Sequence, residues 1–141
     1  MSQEWIFSLS EIDKAALAFL EWRGDRRVFA LHGEMGAGKT TLVQAVCRAM
    51  GVKDAMSSPT YALVNHYEAP GFGPVLHMDL YRLVDAEEGR DAGIEEQLHS
   101  GAFCFVEWPL RAPELLPDDA ADLRLEVLED GRRRLVASDP A

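Results

Sequence analysis

An α/β domain with helices on both faces of a mixed sheet is the fold class this sequence predicts, and three observations predict it. The first is a short apolar run, Val28-Phe29-Ala30-Leu31, then a glycine-rich segment, Gly33-Glu34-Met35-Gly36-Ala37-Gly38-Lys39-Thr40, then a helical pattern that stops at Gly51. The second is Phe103-Cys104-Phe105-Val106, a continuous apolar run of the kind that marks a central strand covered on both faces. The third is the tail, where residues 123–128 mostly alternate apolar and polar. There Asp130-Gly131 gives a hairpin signal and residues 132–137 return as the partner strand. The expected architecture is three-layered, with a central mixed sheet and a C-terminal β-hairpin. At 141 residues, 48% hydrophobic and 27% charged, the chain has the size and composition of one compact domain, 1–141.

Taken in order, Ser10-Glu11-Ile12-Asp13 reads as a capping box with Asp in place of Glu. Ile12, Ala15, Ala16, Phe19 and Leu20 then share one helical face, and the helix ends near Trp22 and Gly24. The first strand, the glycine-rich loop and a helix over residues 41–50 follow. Pro59 breaks the chain by pushing Ser58 out of helical geometry. Residues 61–67 read as a strand, Pro70-Gly71-Phe72-Gly73-Pro74 as a turn, and Val75-Leu76-His77-Met78-Asp79 as the returning strand. Residues 85–90 and 94–99 are short helices separated by Gly93.

Charge excludes some functions. The chain carries 14 Lys and Arg against 24 Asp and Glu, a net charge of −10. Nucleic-acid affinity rests largely on cations that neutralise phosphates, so unaided nucleic-acid binding is not expected. The dense basic run Arg132-Arg133-Arg134 reads as a solvated strand end. No apolar stretch approaches the roughly 20 residues of a membrane span, and Met1-Ser2-Gln3-Glu4-Trp5 lacks the features of a signal peptide. Cys47 and Cys104 fall in apolar segments without metal-ligand spacing. They read as reduced core thiols of a cytoplasmic protein.

The glycine-rich segment matches G-x-x-x-x-G-K-[ST] at every fixed position, and its strand and helix flanks are those a phosphate-binding loop requires. Glycines let backbone N–H groups close around phosphate oxygens, and the helix N-terminus adds positive potential. Lys39 is placed for the outer phosphates of a nucleoside triphosphate and the Thr40 hydroxyl for Mg²⁺. Such a site also uses an acid at the end of an apolar strand. Glu107, after four apolar residues and before Trp108-Pro109, is the cleaner candidate, and Asp79 is the second. Thr60, about twenty residues past Lys39, lies in a segment where a threonine can sense a γ-phosphate. His32 and His77 read as packed or hydrogen-bonded strand residues, and Arg82 fits either a phosphate or a neighbouring acid.

Five motifs occur in a fixed order: Gly33 to Thr41, Ser58-Pro59-Thr60-Tyr61-Ala62-Leu63, His77-Met78-Asp79-Leu80-Tyr81-Arg82-Leu83, Gly93-Ile94 and Val106-Glu107-Trp108-Pro109. Together they closely resemble the TsaE (formerly YjeE) family of bacterial P-loop ATPases. That family is needed to make N6-threonylcarbamoyladenosine in tRNAs that read codons beginning with A. The resemblance implies ATP and Mg²⁺ as ligands. Glu34, Met35, Gly36, Ala37, Gly38, Lys39, Thr40 and Thr41 would wrap the phosphates, and Thr40 and Glu107 would hold the metal. Asp79 would lie beside the metal and the attacking water, Thr60 in a switch-like loop, and Trp108 near the site. Ser10, Glu11 and Arg132 become candidates for the adenine pocket. It further implies docking on the TsaB–TsaD heterodimer, with tRNA reached only through that complex, and slow hydrolysis by the chain alone.

Two other functions fit the loop. A small-molecule kinase needs an acceptor pocket and usually a mobile lid, and residues 108–137 leave little room for one. A GTP switch needs an Asn-Lys-x-Asp segment, which is absent; Asn65-His66-Tyr67-Glu68 does not match.

Overall fold

The structure is a computed structural model and describes residues 2–34, 36–53 and 64–140. The described strands are β1 (Ser2–Phe7), β2 (Val28–His32), β3 (Val64–Ala69), β4 (Gly73–Asp79), β5 (Phe103–Glu107), β6 (Ala121–Val127) and β7 (Arg133–Ser138). They form one sheet in the order β1-β7-β6-β2-β5-β4-β3. The four inner strands β6, β2, β5 and β4 run parallel, and antiparallel strands close both edges. The α-helices are α1 (Ile12–Arg23), α2 (Lys39–Ala49), α3 (Ala86–Asp91) and α4 (Ile94–Leu98). This is the expected three-layer fold with a mixed sheet and a closing hairpin.

Alternation along the inner strands divides the core between two faces. Phe29, Leu31, Phe103 and Phe105 point to the side covered by α1 and α2. Their rings gather with Phe19 of α1, at centroid separations of 5.0 Å for Phe19–Phe29 and 5.1 Å for Phe103–Phe105. Val28, Leu76, Met78, Cys104 and Val106 point the other way, onto Ile94 and Leu98 of α4 and onto Ala112 and Leu115. Every residue of β5 is buried, as a strand packed on both faces must be. Both cysteines are free and buried, and burial pushes their thiols up to about 11 for Cys47 and about 12 for Cys104. They are inert packing groups.

The structure departs from the sequence reading at several points. β1 was not expected; it pairs antiparallel with β7 at the sheet edge, and of its six residues only Phe7 is buried. The capping box closes at Ser8, two residues before the expected Ser10. The Glu11 carboxylate accepts from the Ser8 N–H at 3.1 Å and the Ser8 hydroxyl at 3.0 Å, and a 3-10 turn, Leu9–Glu11, precedes α1. α2 begins at Lys39 rather than at residue 41. The Asp130-Gly131 hairpin signal holds: the turn spans residues 128–131, Gly131 N–H donates to Leu128 O at 2.9 Å, and Gly131 is the left-handed residue that ends it. Residues 61–63 of the expected third strand lie outside the described residues. No helix among the described residues is long and apolar enough to cross a membrane.

Candidate nucleotide site

The glycine-rich loop leaves the C-terminal end of β2, the strand held between β5 and β6, and runs directly into α2. Gly33 is where the loop crosses β6. A Cβ there would lie 2.8 Å from the Leu125 carbonyl oxygen, closer than side-chain carbons approach backbone, so only glycine fits. Gly38 precedes α2 at φ 98°, a left-handed conformation that keeps the loop curled over the helix N-terminus. Lys39 is almost fully buried. Its ammonium donates to Gly33 O at 2.8 Å and lies 3.9 Å over the Trp108 ring. Burial lowers its pKa, while the carboxylates of Glu107 and Asp79 act in the opposite sense. Those two acids therefore share the field of Lys39.

Both acids arrive on strand ends. In the parallel pair β4–β5, Asp79 is registered against Glu107. Period-two alternation then puts His77, Asp79, Phe105 and Glu107 on the α1–α2 face, under the start of α2. Glu107 is buried, and one of its oxygens, Oε2, takes two contacts. The Thr40 hydroxyl donates to it at 3.0 Å, and His77 Nε2 lies 2.5 Å from it. Asp79 is half-buried, and its Oδ1 accepts from the Tyr81 N–H at 2.9 Å. Burial raises the Asp79 pKa, and the neighbouring charge of Glu107 adds to that rise.

After Glu107 the chain turns sharply. Trp108 takes φ 56° and ψ 49°, the one non-glycine residue with positive φ among those described, at a cost of about 1–2 kcal/mol. The turn holds its indole beside the loop, where it meets the Tyr81 ring at 5.0 Å. Between the indole, the loop and β6 lies an open cleft of about 820 Å³, lined by Gly33, Glu34, Ala37, Trp108, Leu125 and Val127.

The structure thus brings Glu34, Gly36, Ala37, Gly38, Lys39, Thr40, Thr41, Asp79, Glu107 and Trp108 to one edge of the sheet. Met35 and Thr60 lie outside the described residues. Ser10 hydrogen-bonds to the Ser8 hydroxyl at 2.9 Å. The Glu11 carboxyl is held below its usual range, first by Ser8 and last by the charge of Arg132. Arg132 itself pairs with Asp130 at 2.8 Å. The arginine that reaches the loop is Arg133, whose Nε donates to Ala37 O at 3.1 Å. The sequence reading placed it with Arg132 and Arg134 in a solvated strand end; alternation along β7 turns Arg133 inward instead. His32 bonds to Asp122 at 2.8 Å, a strand contact as expected.

The donor set suits a hard cation. Thr40 and Glu107 present oxygens 3.0 Å apart, with the Asp79 carboxylate on the adjacent strand. Among the described residues no group of three or more His, Cys, Asp or Glu side chains is placed to hold a metal ion by itself. Mg²⁺ does not require one, because it keeps waters and phosphate oxygens beside one or two carboxylates.

A glycine-rich loop between a central parallel strand and a helix, with acids on two neighbouring parallel strand ends, defines the P-loop NTPase class of fold. The family model described as threonylcarbamoyl adenosine biosynthesis protein TsaE matches residues 6–135, and the chain belongs to the TsaE family. Curated relatives carry the name tRNA threonylcarbamoyladenosine biosynthesis protein TsaE. That of Rickettsia bellii is 33% identical over 94% of this chain and 91% of its own length. That of Haemophilus influenzae is 35% identical over 72% of this chain, and that of Bacillus subtilis is 33% identical over 77%. The match spans 64% and 66% of those two relatives. The crystal structure of Bacillus subtilis YdiB shares the fold, with a TM-score of 0.73 at 22% identity over 100% of this chain and 87% of that one.

Proposed function

We propose that the chain binds ATP at the loop, hydrolyses it, and serves the formation of N6-threonylcarbamoyladenosine in tRNA. The observation that carries this reading is the convergence of Lys39, Thr40, Asp79 and Glu107, from three separate elements, beside a complete phosphate-binding loop. The names of the relatives supply the pathway.

Each residue has a role that its surroundings support. The loop N–H groups and Lys39 take the phosphates; burial lowers the Lys39 pKa, and the two carboxylates oppose that lowering. Thr40 and Glu107 hold Mg²⁺, and the bound ion offsets charge on the phosphate oxygens. Asp79, half-buried and raised in pKa, is the group suited to accept a proton from an attacking water. Thr60, outside the described residues, is the residue this reading assigns to sensing the outer phosphate. The substrate tRNAs are those that read codons beginning with A, and the site of action is the cytoplasm.

The partners in this reading are TsaB and TsaD. A chain of net charge −10 lacks the cations to hold tRNA by itself, so tRNA is reached through them. Steady-state phosphate release should be slow for the chain alone and faster with the TsaB–TsaD pair, and an unrelated acidic protein should have no effect. Rapid release by the isolated chain, unaffected by the pair, overturns this reading. Phosphate transfer to a small acceptor instead of water would point to a P-loop kinase.

A further inference from the structure

The contacts around Glu107 assign a role to a residue outside the phosphate-binding motif. We propose that His77 is the positioning residue for Glu107: its Nε2–H fixes the carboxylate beside Thr40, in the orientation Mg²⁺·nucleotide binding requires. The inference rests on the nucleotide reading above and deepens it.

The geometry is specific. His77 is 1% exposed, in the middle of β4, and is registered against Phe105, the residue two before Glu107 on β5. Its ring therefore reaches diagonally up the same face to the strand-end carboxylate. An ionised carboxylate only accepts hydrogen bonds, so the imidazole nitrogen 2.5 Å from Glu107 Oε2 is the donor. Thr40 donates to the same oxygen from the other side, at 3.0 Å.

The two donors are not equivalent. Thr40 stands at the first turn of α2, beside the loop, and its hydroxyl is the group that a cation would recruit. A hydroxyl that turns to a cation no longer restrains Glu107. His77 stays, because its ring is buried in the strand, on the same face as the buried Val75 and Phe105. A histidine that only filled space would not need its nitrogen on this oxygen. Outer groups that orient ligating side chains typically change metal affinity or activity about 10–100-fold when removed.

The test uses the whole chain as His77→Leu, His77→Gln and His77→Asn, with Lys39→Ala as control. Affinity for a fluorescent ATP analogue is titrated in EDTA and then against Mg²⁺, and hydrolysis is followed over the same Mg²⁺ series. In His77→Leu, affinity in EDTA should stay near wild type. The Mg²⁺ concentration for half-maximal binding and hydrolysis should rise by about tenfold or more. His77→Gln, whose amide N–H occupies nearly the place of Nε2, should recover most of the loss. His77→Asn, one bond shorter, should not.

Wild-type Mg²⁺ dependence in His77→Leu overturns the positioning role, and so does equal impairment in the Gln and Asn variants, which would mark a packing role. Should the Leu variant fail to fold, the contrast between Gln and Asn decides alone. A wild-type chain whose nucleotide binding ignores both Mg²⁺ and Lys39→Ala overturns the functional reading, and this role with it.

Discussion

In β5 all five residues are buried, while in β1, at the edge of the same sheet, five of six are not. The comparison extends to the strands around them. β2, β5 and β4 run parallel, packed by helices on both faces, and their C-terminal ends deliver the loop, Glu107 and Asp79. The wing of β6, β7 and β1 is antiparallel, and some of its charges pair with one another across its strands. Arg134 meets Glu126 at 3.0 Å and Glu4 at 3.5 Å. A side chain leaving a strand buried on both faces has few conformations open to it, so its carboxylate is placed by the core itself. The wing does a different job. It closes one wall of the cleft through Leu125 and ties down the loop through Arg133.

The largest expected difference is in stability. Phe105→Ala removes a fully buried ring from the cluster with Phe19, Phe29 and Phe103, and should cost about 3–5 kcal/mol in urea unfolding. Ile6→Ala on the wing, at a side chain 46% exposed, should cost no more than about 1 kcal/mol. Equal losses would mean that the wing is as integral to the core as β5.

Within the parallel half, the loop and the strand ends should separate binding from hydrolysis. Lys39→Ala should weaken triphosphate binding by about 10–100-fold, the worth of a charged hydrogen bond, while the fold survives. Titration with a fluorescent ATP analogue measures it, and unchanged affinity in a folded variant removes the phosphate-loop role. Glu107→Ala should abolish most Mg²⁺-dependent hydrolysis, with nucleotide binding partly kept. Hydrolysis untouched by that change would make Glu107 structural.

The same contrast explains what could be read in advance. β5 was legible because a strand covered on both faces needs an unbroken apolar run, and Phe103-Cys104-Phe105-Val106 can be little else. Glu107 was legible as the first acid after such a run, and Asp79 as the acid closing the less purely apolar strand over residues 75–79. β1 was not, because an edge strand buries little and its pairing depends on β7, more than a hundred residues away. His77 read correctly as a packed or hydrogen-bonded residue, but its partner lies thirty positions on and only the β4–β5 register brings the two together. The basic run 132–134 shows the same limit. One position of register separates an arginine paired in solvent from one bonded to the loop.

The smallest expected stability effect concerns Asp79, where stability and activity should change with opposite signs. Burial raises its pKa in the folded chain, so the folded state binds its proton more readily than the unfolded state does. As pH climbs through the interval between the unfolded value and the raised folded one, the unfolded chain loses its proton first. This residue's contribution to stability therefore falls across that interval, and the cost is fully present above it. Asp79→Asn removes the half-buried carboxylate but keeps an oxygen to accept from the Tyr81 N–H. The variant should melt slightly above wild type at pH 7. That advantage should shrink as pH falls through the interval and vanish once both states of the wild type are protonated. Hydrolysis should fall at the same time, since an amide cannot take a proton from water. Thermal melts across that pH range, paired with phosphate release at pH 7, measure both signs. A variant less stable at pH 7 would mean that the Asp79 charge stabilises the fold, and full activity would remove its role as the proton acceptor.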